Sequence, residues 1–397
     1  MLEGAATNFY QGFWGVESWA EIWYNIRPMQ RRIWCVLLLA LFCVAVVKTA
    51  AAKEALIIHY GWVQPTLEEL KAHVAEMEAE APFDGLVFQM GVTDVMGKNE
   101  MKMNDEIKDR IKLYKQVKFK KYVHNFAMVM ADQSKPDWHD DKYWKVVAHN
   151  FGLAAEVVAK AGMEGICFDP EGYGVYPVNS YWTTKYWLEQ EAKEDWKGAK
   201  HTKEEYLAAA RKRGAEVGKA MFAKNGKLKF WGLYLWSMGG DLMGEFCNGL
   251  IEAMPSGAGL IDGDEWLGYC ANGEGAYKNL VKRMKGGCGF LDSKLKAKHL
   301  KQDNVAIAFY MDFYTDVKSP LFDGNAKAFK DAGKKLKANL KEAKRAAGGY
   351  VWVYGEKGQW WDMTKYKGTN KFEMWDVRVP GAADAVFLGK QAKEKKK

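Results

Sequence analysis

Between Ala55 and Glu356 eight short β-like runs alternate with seven helical stretches, and this alternation constrains the fold more than any other feature. Such a pattern is the signature of βα units wound around a parallel sheet. The strands are predicted at Ala55–Trp62, Gly85–Met90, Tyr122–Met128, Gly165–Phe168, Phe230–Trp236, Gly259–Asp262, Val305–Asp312 and Tyr350–Glu356. Helices are predicted at Thr66–Glu80, Asp105–Lys115, Asp140–Ala161, Thr202–Lys224, Leu242–Ala253, Gly275–Met284 and Asn325–Ala346. Pro65-Thr66 is a start signal for the first of these, and Gly162 a stop signal for the third. Eight strands in this order predict an α/β fold of the (β/α)8 barrel type over residues 53–380.

Side-chain alternation adds a register. In strand seven Ala306, Ala308, Tyr310 and Asp312 share one face, and Val305, Ile307, Phe309 and Met311 the other. Period two then turns the small residues to the barrel axis and the large apolar ones to the helices. By the same rule Val87 and Gln89, Cys167, Asp169 and Glu171, and Tyr350, Trp352, Tyr354 and Glu356 face inward. Polar residues collect where strands end, at the rim where barrels keep their chemistry.

Composition supports a packed body. The chain has 397 residues, 48% hydrophobic and 27% charged, which excludes a disordered chain. Aromatic residues reach 14% with 17 Trp, which points to a large core or to binding platforms, core being the expectation for any single Trp. The net charge of +8 is spread over the helix face 334–345 and the tail QAKEKKK at the end of 381–397. No basic surface interleaved with aromatics is visible, so no nucleic-acid partner is expected.

The first 52 residues read as an upstream extension and export signal. Arg31-Arg32 precede the apolar run Ile33–Val47, followed by small residues to Ala52. The run is short for a membrane span, so an exported, cleaved chain without stable membrane contact is expected; the alternative is an uncleaved anchor over 33–47. Translation starts at Met1 or Met29. Cys167, Cys247, Cys270 and Cys288 remain, compatible with two disulfides, although Cys167 lies in a strand and reads as core. The seven His show no metal-ligand spacing, and neither a metal nor another cofactor is expected.

The rim candidates are His59, Tyr60 and Trp62 from strand one, Gln89 from two and Asn125 from three. Asp169, Glu171 and Tyr173 follow strand four, Tyr234 and Trp236 strand five, and Asp262 and Asp264 strand six. Tyr310 and Asp312 end strand seven; Tyr354, Glu356 and Trp360 belong to strand eight and its sequel. Carboxylates interleaved with aromatics suit carbohydrate, whose C–H faces stack on rings and whose hydroxyls bind acids and amides. Glycosidic cleavage needs one carboxylic acid to protonate the leaving oxygen and a second carboxylate to attack or to activate water. Glu171 is the expected acid, with Asp169, Asp312 or Glu356 as its partner. The aromatic loop 172–201, with Tyr181-Trp182 and Tyr186-Trp187, reads either as a lid or as a helical insertion.

Glu164-Gly-Ile-Cys-Phe-Asp-Pro-Glu171 resembles the fourth-strand signature of barrel glycoside hydrolases, especially the chitinase-like families, which end in Asp-Gly-x-Asp-x-Asp-x-Glu. The resemblance implies Glu171 as proton donor and Asp169 as support for a substrate N-acetyl group. Cys167 departs from the pattern, standing where those families have their inner Asp. Pro170 likewise departs from the barrels that carry an Asn-Glu pair at this strand. Trp352-Val-Tyr-Gly-Glu356 followed by Trp360-Trp361 is similar to glycoside-hydrolase-like barrels in which a last-strand aromatic floors the sugar site. The implied function is hydrolysis of a poly- or oligosaccharide; the alternative is a non-catalytic carbohydrate-binding barrel.

Overall fold

The computed structural model describes residues 55–61, 63–131, 136–173, 179–300, 305–315 and 331–387. Eight parallel strands run in the order β6-β5-β4-β3-β2-β1-β8-β7. They are β1 Leu56–His59, β2 Gly85–Phe88, β3 Phe126–Met130, β4 Gly165–Asp169, β5 Lys229–Gly232, β6 Gly259–Asp262, β7 Ala306–Tyr310 and β8 Tyr350–Tyr354. A parallel bridge between Asp262 and Val305 joins the two ends of this order, so the sheet comes round into a barrel.

The helices between them form the outer layer: α1 Leu67–Glu80, α2 Asp105–Gln116, α3 Asp141–Ala161, α4 Thr184–Glu191, α5 Lys203–Lys224, α6 Gly240–Ala253, α7 Glu265–Cys270, α8 Glu274–Lys285 and α9 Ala332–Ala347. Their starts are written locally. Thr66 and Glu69 form a reciprocal capping box on α1, as Thr202 and Glu205 do on α5. Asp140 accepts the Lys142 and Tyr143 amides ahead of α3, which stops at Gly162 in the left-handed region (φ 80°).

Period two divides the apolar residues into two cores. Ile58, Val87, Phe126, Cys167, Trp231, Ile261, Ala308 and Trp352 fill the barrel interior. Their strand neighbours Ile57, Leu86, Ile166, Phe168, Phe230, Ile307 and Val353 pack outward under the helices. The expected alternation in strands two, four, seven and eight is therefore present. The expected size rule holds on β7, where Ala306 and Ala308 leave room for bulk from other strands. Trp231 and Trp352 meet edge-on there, 5.6 Å apart, and Phe126 abuts Trp231 at 5.3 Å. Burying each indole contributes on the order of 2–3 kcal/mol. The interior is a plug, not a pore.

Several boundaries differ from the sequence expectation, each for a local reason. β3 starts at Phe126 because Tyr122 turns away to donate its hydroxyl to the Met77 and Ala81 carbonyls. β5 stops at Gly232, and the chain beyond it wraps around Asp262. Asp312 lies in a 3-10 turn, Met311–Tyr314, rather than in a strand. The loop 172–201 contains α4 and the turn Ser180–Trp182, packed on the body with Tyr181, Trp182 and Trp187 buried. Of the two readings, these described residues fit the helical insertion.

The tail boundary moves too. The short helix Ala382–Val386 and Phe387 belong to the folded body, with the Phe387 ring 4.9 Å from Phe83 and 5.4 Å from Trp360. All four remaining cysteines are free thiols, so the disulfide expectation is not met, and Cys167 is the buried core residue expected. No helix among the described residues is long and apolar enough to cross a membrane. The signal or anchor over 1–52, the start of the predicted helix at Asn325 and the final basic residues lie outside the described residues.

Candidate active site at the barrel mouth

β4 delivers Asp169 to the mouth and Pro170 ends the strand. Asp169 Oδ1 accepts the Glu171 amide at 3.0 Å, a side-chain turn that fixes one carboxylate relative to the next. The Pro170 carbonyl accepts the Tyr181 hydroxyl and, at 3.0 Å, Trp182 Nε1. Trp187 Nε1 in turn donates to the Tyr181 carbonyl at 2.8 Å. The aromatic insertion therefore buttresses the Asp-Pro-Glu turn from behind. Gly172 is obligatory in this arrangement, since a Cβ there would stand 2.2 Å from Tyr181 Cε1. Tyr173, half exposed, donates its hydroxyl to Glu171 Oε2 and, at 3.5 Å, to Asp169 Oδ2.

A third carboxylate comes from the end of β6, two strands along the barrel from β4. At the end of β6, buried Asp262 accepts the Leu235, Ser237 and Asp264 amides and the Ser237 hydroxyl. These bonds tie down the loop after β5. Gly263 and Asp264, the latter left-handed at φ 47°, then swing the chain into α7. Its first residue, Glu265, accepts the Tyr269 hydroxyl at 3.3 Å through Oε1, while Oε2 is buried without a hydrogen-bond partner. Burial, then the charges of Glu171 and Asp169, push the Glu265 carboxyl well above the usual carboxylate range.

Aromatic rings floor the space between. Tyr60 lies 5.6 Å from Trp352 and 5.4 Å from Tyr354. Tyr310 stacks on Tyr354 at 5.6 Å and Tyr269 sits 5.2 Å from Tyr310. Burial pushes the Tyr60 phenol well up, and the charges of Asp169 and Glu265 add to it. Acids from β4 and from α7 thus act on the same phenol across one mouth. This arrangement offers one carboxyl whose pKa is raised, two further carboxylates and apolar ring faces. Among the described residues no group of three or more His, Cys, Asp or Glu is arranged to hold a metal ion.

Of the residues expected from the sequence, Asp169, Glu171, Tyr173, Tyr60, Tyr310 and Tyr354 come together here. Asp312 and Glu356 form an adjoining pair on the β7–β8 rim. Asp312 Oδ2 accepts the Glu356 amide at 2.7 Å, and Glu356 accepts the Tyr354 hydroxyl at 3.0 Å. Burial raises the Asp312 carboxyl. Gln89 is exposed on the β2 side, away from the carboxylates. Tyr234 is buried in the outer core and donates its hydroxyl to Asn179. Trp62 lies outside the described residues.

The others are elsewhere. His59 follows Ile58 and so points outward, wedged 5.1 Å from Phe83 and 5.0 Å from Trp361, and burial drives its pKa down to about 3. Asn125 lies before β3, at the opposite end of the barrel, accepting the Leu86 amide and donating to Tyr114 and Tyr122. Trp236 is buried edge-on to His299, and Trp360 is packed against Phe83, Trp375 and Phe387. Asp262 spends its oxygens on backbone and Ser237. Asp264 is wholly buried, its carboxyl raised to about 9 by burial and by Asp262.

Sequence reasoning missed Glu265 and Tyr269. Alternation predicts faces only while the strand continues, and Gly263-Asp264 breaks it. The available signal was that glycine after a strand end, followed by Glu and Tyr at i,i+4 on a new helix.

No family model matches the sequence, and no curated protein matches it. Solved structures that resemble the chain include a psychrophilic glycoside hydrolase family 10 endo-β-1,4-xylanase, at 9% identity and TM-score 0.40 over 84% of this chain and 96% of that one. An O-GlcNAc hydrolase variant from Thermobaculum terrenum matches at 8% and 0.37, over 85% of this chain and 60% of that one. Endonuclease IV from Thermus thermophilus matches at 9% and 0.35, over 77% and 93%. Two sugar hydrolases and a nuclease stand at the same distance, so these likenesses separate no activity from another.

Proposed function

We propose that the chain is a glycoside hydrolase working at the barrel mouth, with Glu265 and Glu171 as its catalytic carboxyl groups. The observation that carries this reading is the asymmetry between them. Glu265 has one carboxyl oxygen buried without a hydrogen-bond partner, and burial with the neighbouring charges raises its pKa, whereas Glu171 accepts a phenolic hydroxyl from Tyr173. One acid and one hydrogen-bonded carboxylate facing a common aromatic floor are what glycosidic cleavage requires. Glu265 protonates the leaving oxygen, and Glu171, oriented by Asp169 and Tyr173, attacks the anomeric centre or activates water. This moves the donor role that the resemblance gave Glu171 across the mouth to Glu265. Tyr60 and Tyr354 offer ring faces to the sugar.

The second reading is a carbohydrate-binding barrel without turnover, favoured by Cys167 at the inner position of β4. Screening the purified chain against a polysaccharide panel tests the choice. Hydrolysis lost in Glu171→Gln with glycan binding retained supports the enzyme; binding without release of reducing ends from any glycan supports the second reading. Export with removal of residues 1–52 is part of the same proposal, checked by the N-terminal sequence of secreted chain.

A further inference from the structure

A cavity of about 310 Å³ opens beside Tyr60 on the β1–β3 side of the mouth, and the carboxylates do not line it. Its inner wall is Val87 and Met128, both interior residues of the barrel. Its outer wall carries the polar groups of Gln89, Glu68 and Arg110, beside Gln64, whose amide nitrogen is spent on the Val87 carbonyl. We propose that this cavity is a second subsite, for an uncharged sugar ring, so that the substrate is a chain crossing the mouth from the carboxylates to α2. The proposal rests on the glycoside-hydrolase reading and names the substrate class for it.

Size, lining and position each bear on this. The volume is at the lower end of ligand pockets, the scale of one small ring rather than of a cofactor. The wall pairs an apolar surface with both donors and acceptors, the mixture a pyranose presents. Arg110 is held in place, with Nη1 on the Gln89 carbonyl at 3.2 Å and Nε on Glu106 at 3.1 Å. Its charge is paired with Glu106, and Glu68 adds a negative charge to the same lining, so the lining suits hydroxyl groups better than an anion. Tyr60 belongs both to this wall and to the floor of the acidic half, which makes the two spaces adjacent. A ring in the cavity and its neighbour in the chain over Tyr60 and Tyr354 would place the bond between them beside Glu171 and Glu265.

Calorimetric titration of the Glu171→Gln variant with β-1,4-linked glucose, xylose and N-acetylglucosamine oligomers, from monomer to hexamer, tests the subsite. In at least one series the affinity is expected to rise about tenfold or more on adding a single unit. That step is expected to vanish in Glu171→Gln carrying Gln89→Ala or Arg110→Met, an exposed and a half-buried position whose melting temperatures serve as the folding control. Affinity independent of length, no binding in any series, or a step untouched by both substitutions overturns the subsite. A length step lost in both variants, with no oligomer cleaved by the unsubstituted chain, leaves the subsite standing and sinks the hydrolase reading. Cleavage of oligomers with kcat/KM unchanged by Gln89→Ala and Arg110→Met does the reverse.

Discussion

Glu265 and Tyr269 stand one turn apart on α7, the phenol donating to one carboxyl oxygen at 3.3 Å while the other oxygen is buried without a hydrogen-bond partner. A carboxyl so placed has little to stabilise its charge, and Glu171 and Asp169 add repulsion. Both effects raise the Glu265 carboxyl above the usual carboxylate range.

The first consequence concerns pH. Protonated Glu265 is the active form, so kcat/KM falls as pH rises through its raised pKa. Glu265→Gln removes that alkaline limb and lowers kcat on unactivated oligosaccharide by about 10²–10⁴-fold. A pH–rate profile in which the variant keeps the same alkaline limb contradicts the assignment.

Tyr173 is 52% exposed and touches both Asp169 at the end of β4 and Glu171 beyond it, so its removal tests chemistry without disturbing the core. Tyr173→Phe is expected to lower kcat by about ten- to a hundredfold, the loss of one hydrogen bond to a charged group. The melting temperature stays where it was. Unchanged kinetics would show that Glu171 needs no orienting phenol.

The aromatic buttress makes a prediction of its own. Gly172→Ala drives a methyl group to 2.2 Å from Tyr181 and displaces the ring from the Pro170 carbonyl. Denaturant unfolding should register a loss of about 1–3 kcal/mol, and activity should drop further than stability accounts for. Tyr181→Phe keeps the ring and loses only the hydroxyl, so it should cost about 1 kcal/mol.

Asp264 gives a stability signature independent of activity. Its carboxyl moves from 3.8 to about 9 on folding, so between those values the unfolded chain binds fewer protons than the folded one. Stability therefore falls as pH rises across that window and levels off above it. Asp264→Asn removes the Asp264 share of that slope, leaving those of Glu265 and Asp312, and gains several kcal/mol, at most about 7, over the native chain at pH 9 relative to pH 4. Parallel stability curves for the two proteins would refute it.

Alternation made the barrel and its inward faces legible, because Ala306, Ala308, Cys167 and Trp352 repeat at period two while the strands last. It failed wherever a strand ended early. Trp236 and Trp360 looked like rim aromatics and are core, since the chain after Gly232 folds over Asp262 and the segment after Gly358 packs on Phe83. His59 failed for a simpler reason, being the outward neighbour of Ile58 and Tyr60. Asn125 is a terminal polar residue at the wrong end, and nothing in composition distinguishes one barrel end from the other without the exact strand start. Glu265 was hidden behind a two-residue turn whose left-handed Asp264 no periodicity reveals.

The division of labour between Glu265 and Glu171 is tested most directly by leaving-group dependence. For the sugar that the chain cleaves, hydrolysis of an aryl glycoside with an activated leaving group is compared with hydrolysis of the natural oligosaccharide. Glu265→Gln is expected to retain most activity on the activated substrate, which needs no proton, and to lose the oligosaccharide; Glu171→Gln is expected to lose both. Glu171→Gln sparing the activated substrate while Glu265→Gln abolishes both would exchange the two roles and contradict the account.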